Sequence, residues 1–308
     1  MKQWVQRLRA EGEPIEYEGR SRLDYLIDLN YSKLKDSYYG HFDFDCFFVS
    51  VALRNRPDLI AKPVAVTHAR SNSSGPGFSE LASCNYEARK FNVKNGMLMR
   101  DAMKRCPNLV CLPYEFDEYR ATSMAIYHIV STYTYEMRAI SCDEMYVDLS
   151  AIARDKQISD VMGIVTQMRK DIFEATGCAV SVGVGRNLLL ARLATKKAKP
   201  NGQYLVDPAP EQIHRFMTNI KIADLPGVGH SILSKFQSLM KIMETCADLR
   251  EVTLSELQKL VGVKMGKQLQ NEGVKMGKQV IPVEASFKGY PNTCKAVSDQ
   301  SYNYISLV

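Results

Sequence analysis

The sequence predicts a sheet layer covered by helices, of the α/β or α+β class, followed by a purely helical segment. Short apolar runs that are typical of strands alternate with helical patterns between about residues 42 and 205. Two of those runs flank a tight turn at residues 142–144, which predicts a hairpin. Beyond Asn201-Gly202 only helical patterns remain, so a domain boundary is predicted near residue 205.

The predicted elements follow one another closely. The first strand lies in the apolar stretch 42–51, which Asp43 and Asp45 interrupt. Further strands are predicted at 64–67, 109–112, 139–141, 145–149 and 179–184. Helices are predicted at 86–91, 100–105, 116–135, 161–172 and 187–199, and beyond the boundary at 211–217, 231–240 and 253–260. The heptad at 262–268 recurs at 273–279, but a solenoid needs about three copies.

Composition excludes several classes of protein. The chain has 308 residues, 45% apolar and 24% charged, which is typical of a soluble globular protein of about two domains. A net charge of +6 permits an anionic partner without establishing one. No apolar run approaches the ~20 residues of a membrane span, and the charged start leaves no signal-peptide core. Eight cysteines without a CxxC pair predict reduced thiols.

Two acidic clusters are candidates for a metal site. On a strand, Asp43 and Asp45 share a face because residues two apart point the same way. Asp143 and Glu144 lie at the predicted hairpin turn. Carboxylates from separate strands suit Mg²⁺, and two such ions ~3.5–4 Å apart assist in-line phosphoryl displacement. The alternative is that these acids cap turns or pair with arginines.

The basic and polar residues favour a phosphate ligand. Ser83, Tyr86 and Arg89 place a hydroxyl, a phenol and a guanidinium on adjacent helical turns. A second cluster, with no acid between its ends, runs from Arg186 to Lys199. Arginine and lysine on two sides could hold a triphosphate. The alternative is a solvated cationic helix face.

A glycine turn opens one of the later helices. In LPGVGH at 225–230, Gly227 and Gly229 permit a tight turn whose backbone N–H groups can bind a phosphate at the helix N-terminus. Such a hairpin is a common grip on DNA that does not depend on sequence. An ordinary helix-to-helix turn is the alternative.

Five motifs, in order along about residues 37–270, resemble those of the Y-family translesion DNA polymerases. The catalytic motifs are HFDFDCFF at 41–48 and SCDE at 141–144, with the fingers motif SCNYEAR at 83–89 between them. SVGVG at 181–185 through AKPNG at 198–202 resembles the third block, and LPGVG at 225–229 the thumb hairpin. Within the family, SRL at 21–23, RNRPDL at 54–59, NGM at 95–97 and LPGVGHS at 225–231 resemble the deoxycytidyl transferase (Reversionless-one) branch.

The resemblance implies an α+β right-hand polymerase core with a ferredoxin-like palm sheet, a small fingers domain and a helical thumb. The implied domains are an N-terminal extension at 1–40, the palm at 41–46 and 115–206, the fingers at 47–114, the thumb at 207–272 and an unassigned tail at 273–308. The likeness ends near residue 270. We therefore expect the family's little-finger domain and its protein-interaction domains to be absent from this chain.

The resemblance also implies roles for individual residues. Asp43, Asp143, Glu144 and the backbone carbonyl of Phe44 would hold two Mg²⁺ ions, whereas Asp45 matches a position that is usually not a ligand. Phe48 would be the steric gate that excludes a ribose 2′-OH; its alternative is core packing. The implied nucleotide-binding residues are Phe47, Phe48, Ser83, Tyr86, Arg89 and Lys199.

The N-terminal extension carries a further implied site. In the deoxycytidyl transferase branch an arginine pairs with the incoming dCTP in place of the template guanine, and a leucine fills the vacated space. Arg22 and Leu23 match those positions. The sequence departs from the branch at Asp24-Tyr25, where two histidines are usual.

The implied function is DNA-templated insertion of dCMP opposite guanine or damaged sites, in the nucleus, with primer-template DNA and dCTP as substrates. One alternative is a non-catalytic DNA-binding fragment of such a polymerase. Another is a nucleotide cyclase with the same carboxylates, against which the thumb hairpin argues.

Overall fold

The computed structural model describes residues 37–68, 79–155, 161–237 and 243–274. It has two sheets covered by helices and a helical C-terminal part, so the predicted α+β class is confirmed. Arg22 and Leu23 lie outside the described residues, as does the second copy of the heptad beyond Val274. In the described part of the chain no helix is long and apolar enough to cross a membrane.

The strands are β1 (Tyr39–Phe44), β2 (Val64–Thr67), β3 (Leu81–Cys84), β4 (Val110–Leu112), β5 (Met137–Ala139), β6 (Glu144–Asp148), β7 (Val180–Gly185) and β8 (Gln203–Leu205). The helices of the first two thirds are α1 (Phe47–Leu53), α2 (Tyr86–Arg89), α3 (Met99–Arg105), α4 (Phe116–Tyr133), α5 (Ser150–Asp155), α6 (Val161–Thr176) and α7 (Leu188–Ala198). The later helices are α8 (Pro210–Thr218), α9 (His230–Gln237), α10 (Cys246–Arg250), α11 (Leu254–Val261) and α12 (Val263–Leu269).

The larger sheet has the order β5-β6-β1-β7-β8, with β1 at its centre. β1 is antiparallel to both neighbours, and its register sets Asp43 opposite Glu144 on β6 and Ser181 on β7. Alternate side chains of β1 point to opposite faces. Phe42 and Phe44 join the apolar core shared with α4 and α6, whereas His41 and Asp43 face the other side, toward α7 and Lys199.

Helix α7 covers that other face of the sheet at unusually short range. A Cβ built on Gly183 of β7 would lie 2.1 Å from the backbone nitrogen of Thr195. A side chain at residue 183 would therefore push α7 off the sheet. Leu190 and Leu193 of α7 join a second core, built mainly from α8 to α12, which includes Met217 and Leu257.

The smaller sheet has the order β3-β2-β4, with β2 antiparallel to β3 and parallel to β4. Its buried residues form two small cores, one with α2 and α3 and one with α1. Asn85 caps the N-terminus of α2, and its side chain accepts a hydrogen bond from the Ala88 nitrogen. This cap fixes the start of the helix that carries Tyr86 and Arg89.

Several element boundaries differ from the sequence prediction. β1 ends at Phe44, and a turn leads to α1, so Asp45 is not on a strand with Asp43 as predicted. β5 and β6 lie earlier than predicted, which makes Glu144 the first residue of β6 rather than part of the turn. The backbone nitrogens of Ile140 and Ser141 both donate to the Glu144 carbonyl and close the turn there.

Some short elements were not predicted. They are β3, β8, α10 and α12, each of seven residues or fewer, and such short elements depend on packing for much of their stability. For α10 a local signal was present and was missed, the capping box of Thr245 and Asp248. The seven cysteines among the described residues are free and buried, as expected of reduced thiols in an apolar interior.

Candidate active site

Three acidic residues meet at one end of the larger sheet. The register of β1 and β6 places Asp43 beside Glu144, and the Phe44 nitrogen donates to the Asp143 carbonyl at 3.0 Å. The two acidic clusters, about 100 residues apart in sequence, are thus brought together by one strand pairing. Their proposed functional roles rest on this proximity.

Asp143 lies where negative charge is unfavourable. Burial raises the pKa of its carboxyl, and the nearby carboxylates of Asp43 and Glu144 raise it further. The Ser141 hydroxyl, which donates to Asp143, and the Lys199 ammonium oppose this effect without cancelling it. A cation at this position would relieve the accumulated negative charge.

Glu144 has the opposite balance. Burial raises the pKa of its carboxyl, but the contact with His41 and the charges of Arg192 and Lys199 outweigh burial, so the pKa is lowered. His41 Nε2 lies 2.7 Å from Glu144 Oε1, and an Arg192 guanidinium nitrogen lies 3.2 Å from the same oxygen. Glu144 is therefore held as a carboxylate.

Lys199 follows the last residue of α7 and turns back over the acids. Its Nζ lies 2.6 Å from Asp43 Oδ1 and 3.9 Å from Asp45 Oδ1. The end of α7 thus brings a cation to Asp43 on β1 and to Asp45 just beyond it. Lys199 therefore lies at the acidic site, and its contact with a triphosphate stays a prediction.

Asp45 is a buried carboxylate that contacts residues of the larger sheet and of α2 beside the smaller sheet. It accepts hydrogen bonds from the Ser181 hydroxyl at 2.9 Å, from the Tyr86 hydroxyl at 3.1 Å and from the Asn201 nitrogen. Only 5% of Asp45 is exposed. Burial and the charge of Asp45 raise the pKa of Tyr86, so the phenol keeps its proton and donates it.

The other predicted phosphate-binding residues lie on the smaller sheet and its helix. The Arg89 guanidinium stacks over the Tyr86 ring, 4.8 Å from its centroid. Ser83 is buried in β3 opposite Val66. Tyr86 thus connects Arg89 to Asp45 and so to the acidic end of the larger sheet.

A cavity of about 660 Å³ opens beside the acids. Its lining includes residues 141–144 and several aromatic side chains. Phe48 is one of these, and it packs against Tyr119, with ring centroids 4.6 Å apart, and against Tyr114 at 6.0 Å. Phe47, by contrast, is buried in the main core and does not line this cavity.

The acids have the donor chemistry of a magnesium site, although they contact protein groups in this arrangement. In the part of the chain that the structure describes, no three His, Cys, Asp or Glu side chains are gathered as a metal-binding group. Instead Asp43 contacts Lys199, and Glu144 contacts His41 and Arg192. Hard carboxylate oxygens and the raised pKa of Asp143 nevertheless fit a divalent cation.

Sequence reasoning missed three residues at the site. His41 was given no role, because a histidine in a strand reads as an ordinary core residue. Arg192 was counted only as one cation of a basic cluster, yet it reaches Glu144. Asn201, which follows a lysine and a proline, was part of a motif and had no assigned contact. The helical period of α7 could have placed Arg192 and Lys196 on the face that carries Lys199.

The predicted DNA-contacting glycines lie in the turn that precedes α9. Gly227 has a φ of +79°, which favours glycine, and Gly229 directly precedes α9. A Cβ on Gly229 would meet nothing within 4 Å. The turn is therefore open at Gly229, whereas Met265 lies against Gly227; DNA binding by this turn stays a prediction.

Comparison with protein families gives two matches. Residues 42–196 match the impB/mucB/samB family, and residues 223–278 match the thumb domain of DNA polymerase iota. The first match spans half of the chain, and the second includes the glycine turn and the helices that follow it.

Curated relatives agree. The chain is 36% identical over 310 aligned positions to DNA repair protein Rev1 of Drosophila melanogaster, covering 87% of this chain and 31% of that protein. It is 39% identical over 237 positions to DNA repair protein REV1 of Arabidopsis thaliana, covering 76% of this chain and 20% of that protein. DNA polymerase IV of Pasteurella multocida is 34% identical, with coverages of 74% and 61%. The chain thus spans less than a third of the Rev1 proteins it matches.

Solved structures agree as well. An insertion ternary complex of Dbh DNA polymerase superposes with a TM-score of 0.68 at 26% identity, covering 78% of this chain and 67% of that chain. DinB from Sulfolobus solfataricus gives the same values. The two sheets and the helices described above are therefore those of a polymerase core.

Proposed function

Because the chain belongs to the impB/mucB/samB family, the Y-family of translesion DNA polymerases, we propose that it is a DNA-templated nucleotidyltransferase of DNA repair. One observation carries the proposal: the β1–β6 register sets Asp43 beside Glu144, next to Asp143, and α7 brings Lys199 to Asp43. A structural sheet has no need for three acids and a lysine at one end, because each buried charge costs free energy.

The three carboxylates and the Phe44 carbonyl would hold the Mg²⁺ ions that the resemblance implies. When bound there, two Mg²⁺ ions supply positive charge at the attacking and leaving oxygens of an in-line phosphoryl displacement. Lys199 and Arg89 add fixed positive charge toward the triphosphate and the departing pyrophosphate. Asp45 orients Tyr86 and the segment around Asn201, because both residues donate a hydrogen bond to its carboxylate.

Phe48 is proposed to select the sugar of the incoming nucleotide. Its ring lines the cavity beside residues 141–144 and rests on Tyr119, so it cannot retreat without displacing a buried ring. A 2′-hydroxyl placed against such a supported ring would clash with it. A deoxyribose would not, which supports a deoxynucleotide as substrate.

The base preference rests on residues outside the described ranges. We propose that Arg22 pairs with dCTP, since parallel guanidinium donors suit the acceptor edge of cytosine, and that Leu23 fills the space of the displaced guanine. The likeness to the Rev1 relatives supports this assignment, and on the same likeness we propose a nuclear location.

Primer extension tests the function directly. The chain, primer-template DNA and Mg²⁺ are incubated with each dNTP singly, opposite guanine and opposite an abasic site. We expect insertion of dCMP in preference to the other three nucleotides, and its loss in Asp143→Ala. Equal use of all four dNTPs would refute the dCTP preference, and full activity of Asp143→Ala would refute the metal role. DNA binding without any extension would instead favour the non-catalytic fragment.

A further inference from the structure

We infer that His41 is a positioning residue that orients the Glu144 carboxylate for the catalytic metal; the inference rests on the proposed function. His41 lies in the middle of β1, two residues before Asp43, and faces α7 rather than the apolar core. The residue is buried, with 1% of its surface exposed. Its ring contacts both Glu144, an acid of the site, and Thr195 on α7.

The His41 ring is fixed at both nitrogens. Nε2 contacts Glu144 Oε1 at 2.7 Å, and Nδ1 contacts Thr195 Oγ1 at 2.8 Å. A carboxylate only accepts hydrogen bonds, so the hydrogen between His41 and Glu144 is on Nε2. Thr195 can accept from Nδ1–H or donate to bare Nδ1, and the ring is held in either case. The Tyr146 ring, 4.7 Å away, limits its tilt.

Thr195 is in turn fixed by the backbone. Its hydroxyl lies 3.0 Å from the Ala191 carbonyl oxygen and 2.9 Å from the His41 carbonyl oxygen, and it accepts from the Gly183 nitrogen at 3.1 Å. The absence of a side chain at Gly183 lets α7 come this close. The chain of contacts therefore runs from rigid backbone through Thr195 and His41 to Glu144.

His41 and Arg192 contact the same oxygen of Glu144. His41 and Arg192 both contact Oε1, so the rotation of the carboxylate is set by them and Oε2 takes part in neither contact. A core histidine that served packing alone would have no need of this arrangement. Partners that orient a metal ligand in this way contribute strongly to metal affinity, typically 10–100-fold.

Three variants separate orientation from packing. His41→Phe keeps the ring and removes both hydrogen bonds. His41→Gln keeps a side-chain N–H that can reach Glu144. Thr195→Val keeps the shape of the anchor and removes its hydroxyl. Glu144→Gln reports how much metal binding depends on that carboxylate, and His128→Phe, on the exposed side of α4, is the matched control.

Mn²⁺ binding to the full chain is measured by electron paramagnetic resonance, without DNA or nucleotide. Single-nucleotide insertion is then measured against Mg²⁺ concentration and against dCTP concentration. We expect His41→Phe to weaken Mn²⁺ binding about 10–100-fold and to raise the Mg²⁺ half-saturation similarly, while the KM for dCTP at saturating Mg²⁺ changes little. His41→Gln should recover part of the loss, Thr195→Val should show a smaller one, and His128→Phe none.

The outcomes distinguish this inference from the proposed function. If Mn²⁺ binding depends on Glu144 but is unchanged in His41→Phe, the positioning role is refuted and the metal role remains. If the wild-type chain shows no Mn²⁺ binding that depends on Glu144, both fail. Thermal denaturation of each variant is recorded; an affinity loss in His41→Phe that His41→Gln does not recover refutes orientation through the N–H.

Discussion

Lys199 Nζ lies 2.6 Å from Asp43 Oδ1, so the residue that directly follows α7 is paired with an acid of the central strand. In the proposed function this ion pair would loosen when a metal and a triphosphate bind. The charge of Lys199 would then be available to the phosphate oxygens. The ion pair thus holds the lysine next to the proposed metal ligand Asp43.

Replacing Lys199 should impair catalysis more than folding. We expect Lys199→Ala to lower kcat/KM for the incoming nucleotide by about a hundredfold or more, the cost of removing one preorganised electrostatic partner. Lys197→Ala is the matched control, since Lys197 belongs to the same helix end but contacts Tyr204. Steady-state insertion kinetics measure both. Equal effects of the two variants would contradict a specific role for Lys199.

Asp45 should be a stability determinant as well as an organiser of the site. Asp45→Asn removes the charge, and one of the groups that donate to Asp45 then faces the amide N–H₂ instead of an acceptor. We expect a loss of about 1.5–3 kcal/mol in unfolding free energy. Tyr86→Phe removes a single hydrogen bond and should cost about 1 kcal/mol. Urea denaturation measures both, and Asp117→Asn, at a position 96% exposed, should change little.

The double variant Asp45→Asn/Tyr86→Phe checks that the two residues act through one contact. Because Tyr86 donates to Asp45 at 3.1 Å, the combined loss should be smaller than the sum of the single losses. Strict additivity would show that the hydrogen bond contributes nothing to stability.

Asp143 and Glu144 should respond oppositely to neutralisation. The folded state raises the pKa of Asp143 above 3.8, so its charged form destabilises the fold at pH above the raised value. The folded state lowers the pKa of Glu144 below 4.5, so its charged form stabilises the fold, and that contribution is lost as pH falls through the lowered value. At pH 7 with a chelator present, Asp143→Asn should raise the melting temperature and Glu144→Gln should lower it.

The pH dependence of the melting temperature provides the control for these two variants. Below pH 3.8 the wild-type Asp143 is protonated in both states, so the gain in Asp143→Asn should vanish there. Thermal denaturation between pH 3 and pH 7 measures the difference in melting temperature between each variant and the wild type. Shifts of the same sign in both variants at pH 7 would refute the assigned electrostatics.

Phe48 should control sugar discrimination. Phe48→Ala opens the cavity beside residues 141–144, and we expect the preference for dCTP over CTP to fall about 10–200-fold, the range for steric selection in a pocket. Phe116→Ala, which also removes an aromatic ring from the cavity lining, is the control. If Phe48 serves packing only, its variant will lose stability while the sugar preference stays intact.

The thumb glycines should separate folding from DNA binding. Gly227 has a φ of +79° and its Cβ would lie 3.2 Å from the Met265 methyl, so Gly227→Ala should destabilise the protein by about 1–2 kcal/mol. Gly229→Ala meets nothing within 4 Å and should leave stability within about 0.5 kcal/mol. Fluorescence anisotropy with primer-template DNA should nevertheless show weaker binding by Gly229→Ala, because a methyl group would stand between the turn and a phosphate. Unchanged binding would argue against the DNA grip.

Much of the site was accessible from local patterns. The acid pairs at 43–45 and 143–144, the polar helix start at 83–89 and the lysine before Pro200 all lie in short motifs, and the family match over 42–196 confirms the resemblance they suggested. The individual site roles and the domain boundaries remain predictions. Short strands such as β3 and β8 were missed because they form by pairing with strands elsewhere in the chain.

The sequence by itself determined the fold class, the family and the candidate acids and bases, because periodicity and short motifs are properties of neighbouring residues. Only the tertiary structure decided how these residues meet. Strand register brings Asp43 to Glu144 across about 100 residues, and the close approach of α7 at Gly183 brings Thr195 to His41. Such contacts depend on packing between distant segments, so His41, which no local pattern distinguishes from a core residue, emerged only from the folded chain.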